Sequence, residues 1–143
     1  MKRHQVITDN DELKVRVVAS TRAGFMSAAL EGLFAAAQAR FVETDVDTRF
    51  VAPESERQFK VTADSFPELL AAFLEEAWQQ AKQQKEAFIG LRLSLITDKQ
   101  AEGAFLGQPV TGFGRELTGV ETVGLTVEKN ELGYWESTIG LRS

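Results

Sequence analysis

Apolar and polar positions alternate in three stretches and recur at helical steps in two others. In "ELKVRVVAS", Leu13, Val15 and Val17 fall on one side and Lys14 and Arg16 on the other, which predicts a strand with one buried face. In "STRAGFMSAALEGLFAAAQARF", Met26, Leu30, Leu33, Phe34, Ala37 and Phe41 recur every three or four residues and predict a helix. Ser20 or Thr21 can cap it, and Gly24 and Gly32 make it dependent on packing. "VETDVDTRFVAPESER" is polar, with Pro53 inside it, and reads as a loop or a short edge strand. "RQFKVTA" alternates again, with Phe59, Val61 and Ala63 together.

"DSFPELLAAFLEEAWQQAKQQKE" carries a capping box at Ser65 and Glu68, and Pro67 in its first turn. Its buried stripe is Leu70, Phe73, Leu74, Ala77 and Ala81. "AFIGLRLSLIT" predicts a strand with Ile89, Leu91, Leu93 and Leu95 inward. The glycine-rich "AEGAFLGQPVTGFGREL" reads as a short strand followed by a loop. Two more strands follow, joined by "EKNELG", with Trp135, Ile139 and Leu141 inward on the last. The resulting expectation is an α+β fold: one mostly antiparallel sheet with two helices packed on one face, forming a single domain over 1–143.

Composition narrows the chemistry. The chain has 143 residues, no cysteine and a formal net charge of −5. Absence of cysteine removes disulfides, thiolate metal sites and cysteine nucleophiles. The acidic balance argues against direct nucleic-acid binding, which needs clustered cations. "MKRHQVITDND" has no apolar h-region, and no apolar run is long enough to span a bilayer, so a cytoplasmic protein with no membrane contact is expected. His4, the one histidine, is expected to be exposed near a frayed end, which leaves no base for a hydroxyl nucleophile.

Four groups of residues remain. Asp9, Asp11 and Glu12 cluster before the first alternating stretch, either as a solvated acidic turn or as ligands for a hard cation, Ca²⁺ or Mg²⁺. An EF-hand loop is ruled out, because Lys14 stands where its glycine is needed. Glu43, Asp45 and Asp47 would share one strand face, as a charged edge or another cation site. Gly107, Gly112, Gly114 and Arg115 could hold an anion or form an ordinary turn. Trp78 and Trp135 read as core or half-core residues.

Several phrases, in order, resemble the archease family from about Thr8 to Ser143. They are "STRAGFMSAALEGLF", "DSFPELLAAFLEEAWQQ" and the closing "ELTGVETVGLTV…GYWESTIGL". The resemblance implies a small α+β fold and a non-catalytic role. Archease proteins are accessory factors that help the GTP-dependent tRNA ligase of RNA splicing and repair to become guanylylated and turn over. It also implies an acidic metal site, with an aspartate in an N-terminal "H-T-A-D" motif and another near the end of the last strand. Asp9-Asn10-Asp11-Glu12 occupies the motif here, so Asp11 or Glu12 would stand in as metal ligand. Thr118 and Val123 replace the family's lysine and histidine, and Arg142 falls where the second aspartate is expected. A protein-interaction or chaperone-like module on the same fold is the alternative.

Overall fold

The structure, a computed structural model, describes residues 1–42 and 53–143. The elements run β1 (Lys2–Asp9), β2 (Glu12–Ala19), α1 (Arg22–Ala37), β3 (Ala39–Phe41), β4 (Ser55–Thr62), α2 (Phe66–Gln84), β5 (Glu86–Ile96), β6 (Gln100–Phe113), β7 (Gly119–Val120), β8 (Glu128–Lys129) and β9 (Trp135–Arg142). The fold is α+β, with antiparallel pairing throughout the described strands, as expected.

The strands divide between two sheets where one was expected. The first has the order β1-β2-β9-β7, with β8 also on β9. The second is built on β6, which pairs with β3, β4 and β5. Helix α1 explains the division. From Phe25 to Ala37 only the narrow stripe of Ser27, Glu31 and Ala35 is partly or fully open, and the apolar residues around the rest of its circumference need cover on more than one side. Strands β1 and β2 cover it from the first sheet and β5 from the second. Gly32 lies under Val15 and His4, and Phe34 meets the edge of the Phe88 ring with centroids 5.6 Å apart. Helix α2 has a single buried stripe and packs chiefly on the second sheet, touching β7 at its flank.

Both helices start where the sequence places them. Thr21 Oγ1 accepts the Gly24 N–H at 3.0 Å, and Ser65 Oγ accepts the Glu68 N–H at 3.4 Å. Both end on a left-handed residue, Gln38 and Lys85. Phe41, read from the sequence as part of the first helical stripe, lies beyond that stop, in β3, and is exposed. The core is one aromatic-rich cluster in which Phe105 stacks between Phe59 and Phe88, with centroids 4.3 and 4.8 Å away.

Three further expectations change. Residues before Asp9 form β1 and not a frayed end; His4 is exposed as expected, but it pairs with Val17 in the ladder, and its Nδ1 lies 3.7 Å from Glu31. The strand in the glycine-rich stretch is long, the 14-residue β6, and only residues 114–117 of the stretch belong to the loop that follows it. Ile89 and Leu95 face solvent, because bulges between Phe88 and Gly90 and between Leu93 and Leu95 shift the alternation. Leu91, Leu93 and Ile96 pack on the core. Among the described residues no helix is long and apolar enough to cross a membrane. Glu43, Asp45 and Asp47 lie outside the described residues.

Candidate functional site

The acidic "DNDE" is first of all a turn. Asn10 and Asp11 have φ of 49° and 66°, and Asp9 pairs with Glu12, so the two central residues form a left-handed hairpin loop. Such a loop matches the twist of its strands, and Asn and Asp tolerate positive φ better than most residues. The hairpin projects Asp11 and Glu12 at one end of the first sheet.

Strand β9 ends at the same place. It pairs with β2 in the register Leu13 to Leu141, so Arg142 emerges beside the level of Glu12. The segment before and after β7 closes this end from the other edge of β9. Thr118 N–H donates to Arg142 O and Glu121 N–H to Gly140 O, both at 2.8 Å. Together these pieces ring an open pocket of about 810 Å³, lined by Asp11, Glu12, Lys14, Glu121 and Arg142 among others. A second hollow of about 380 Å³ adjoins the hairpin tip and includes Asp9 and Arg115.

The charges around the pocket are largely matched within the protein. Glu12 carries Lys14 Nζ at 3.0 Å, and Glu121 has Arg142 Nε at 3.8 Å. Among the described residues no three His, Cys, Asp or Glu side chains gather to hold a metal ion. Hard cations take six to eight oxygen ligands and are repelled by ammonium and guanidinium groups. The donor set at this corner therefore does not suit Ca²⁺ or Mg²⁺: Asp11 and Glu12 share its rim, and the position facing them from β9 is a fixed cation.

The Gly112–Arg115 stretch is also committed internally. Gly114 N–H donates to Gln38 O at 2.9 Å and Arg115 N–H to Ala37 O at 3.0 Å, while Arg115 Nη1 reaches Ala36 O at 3.1 Å. These donors satisfy the last carbonyls of α1 and place a cation at its negative end. Trp78 is buried and donates Nε1–H to Leu117 O at 2.8 Å; Trp135 is half-buried. His4 is exposed on β1, well before Asn10 of the hairpin tip, and its partner there is Glu31.

Sequence reasoning missed two clusters. Glu86 is buried against Ser55 and Arg57, and Arg22 stacks on Phe66 and Trp135. Each joins residues more than 25 positions apart, so no local spacing announces it. No protein-family model matches the chain, and no curated protein matches it either.

Proposed function

We propose that this chain is a non-catalytic accessory protein of archease type, which docks on a GTP-dependent RNA ligase of tRNA splicing and RNA repair. One observation carries the reading. The first hairpin and the last strand are neighbours, with Leu13 opposite Leu141, so their ends meet at one pocket. That is the arrangement the sequence resemblance requires of residues 130 positions apart. An acidic protein is suited to a protein partner and poorly suited to RNA itself, which agrees with action through the ligase.

The test is a guanylylation assay. Adding the purified protein to the ligase with GTP is expected to speed formation of the ligase–GMP intermediate and to convert single turnover into multiple turnover. An unchanged rate across a titration of the protein, at several Mg²⁺ concentrations, rejects the reading. Arg142 favours a second one, a protein-interaction module that keeps the scaffold without the family's activity. Co-purification with a ligase whose rate stays unchanged would select it.

A further inference from the structure

We propose that the end of β9 is organised by a fixed guanidinium in place of a bound metal, so that this corner of the protein takes no divalent cation. The inference does not depend on the ligase reading. It starts from Gly119, which pairs with Arg142 across the β7–β9 ladder. A Cβ on Gly119 would stand 2.5 Å from Arg142 Nη2 and 2.9 Å from Glu75 Oε1. The missing side chain leaves room over β7 for the end of the Arg142 side chain from β9 and for that of Glu75 from α2. Glu75 also accepts the Val120 N–H at 2.7 Å, and Glu121 faces Arg142 Nε from the other side.

Glu121 thus pairs with the guanidinium, while the Glu75 carboxylate lies near it but is held by the Val120 N–H. A divalent cation would normally be the group to draw such carboxylates together. Arginine supplies positive charge at this corner independently of metal supply. Lys14 supplies another to Glu12 within β2. A metal entering the pocket would have to displace or face both side-chain cations.

The test needs only the purified chain. Melting in EDTA, CaCl₂ and MgCl₂ at matched ionic strength should give the same Tm, and calorimetric titration of either metal should give no saturating heat. Arg142→Gln should lower Tm by about 1–3 °C, as expected for loss of a partly exposed ion pair. Arg142→Asp sets a third carboxylate beside Glu75 and Glu121. That variant should melt lower than the wild type in EDTA and should regain stability on adding Ca²⁺. The proposal is overturned by saturable Ca²⁺ or Mg²⁺ binding to the wild type that Asp11→Ala or Glu12→Ala abolishes. An Arg142→Gln variant that melts like the wild type overturns it equally. Should Arg142→Asp fail to fold in EDTA, the wild-type titrations and Arg142→Gln still decide.

Discussion

Glu86 is a carboxylate with almost no access to water, 5% exposed, at the first position of β5. Burying a charge is costly unless it is paired and hydrogen-bonded. Here Ser55 donates its hydroxyl to Oε2, and Arg57 Nε donates to Oε1 at 2.9 Å. Both partners come from β4, across β6, and the side chain between them is that of Gly107, which is to say none. A Cβ there would run into Glu86 and Ser55. Removing Arg57 strips the carboxylate of its cation, so Arg57→Ala should cost about 2–3 kcal/mol, somewhat below a fully buried pair because Arg57 is itself partly exposed. Glu86→Ala in the same background should then cost much less than it does alone, because the two groups act as a unit. Urea denaturation of the two single variants and the double one measures this; strictly additive losses would show that the pair is not coupled. Nothing in "QKEAFIG" marks this glutamate, since its partners lie about thirty residues earlier and only pairing on β6 brings them together.

At the scale of elements, what the sequence revealed was whatever a local period can encode. Helix α2 has one apolar stripe and its own caps, and it starts at the capping box. Strands β2 and β9 alternate cleanly because each has one buried face. The full length of β6 was not legible because its glycines look like loop signals, while in the fold Gly103 and Gly107 are places where another chain segment presses close. A Cβ on Gly103 would collide with the backbone carbonyl of Arg92, whereas one on Gly112 would meet nothing within 4 Å. The two positions therefore make a controlled pair on a single strand. Gly103→Ala should destabilise by about 1–3 kcal/mol through forced separation of β5 and β6. Gly112→Ala should be neutral or stabilise by up to about 1 kcal/mol through the unfolded chain. Thermal melts of the two variants check the contrast; equal effects would mean that β6 responds to glycine loss as such and not to contact. The bulges of β5 show the same limit, since they turn Ile89 and Leu95 outward although the sequence alternates without a break there. The candidate site was legible only in part. The acidic tip and the final strand could be read, but that Asn10 and Asp11 form a positive-φ turn, and that Lys14 and Arg142 sit on the nearby acids, required the paired strands.

Over the whole molecule, the question is how two sheets with separate hydrogen-bond ladders hold together. Most of the answer is α1, which is covered by both, but one side chain adds a direct link. The Arg22 guanidinium, at the start of α1, lies 5.0 Å from the Phe66 ring centroid on α2 and 4.8 Å from that of Trp135 on β9. Its Nη2 reaches Asp98, in the turn between β5 and β6, at 2.7 Å. One residue thus touches both helices, the first sheet through Trp135 and the second through Asp98. Its Nε is buried without a hydrogen-bond partner, so stacking on the two rings must compensate for that donor. A planar guanidinium can stack and pair at once, and an ammonium cannot reproduce that geometry. Arg22→Ala should therefore destabilise by about 1–2 kcal/mol, and Arg22→Lys should recover less than half of the loss. The shape of the transition is the more telling readout. Because one core contains residues of both sheets, the wild type should unfold in one step, with tryptophan fluorescence and far-ultraviolet circular dichroism coinciding. In Arg22→Ala the Trp135 environment should loosen first, so that fluorescence moves at lower denaturant than circular dichroism; a Trp78→Phe background leaves Trp135 as the sole reporter. If the two signals stay superimposed in that background, the sheets are joined by α1 alone and the Arg22 link is dispensable.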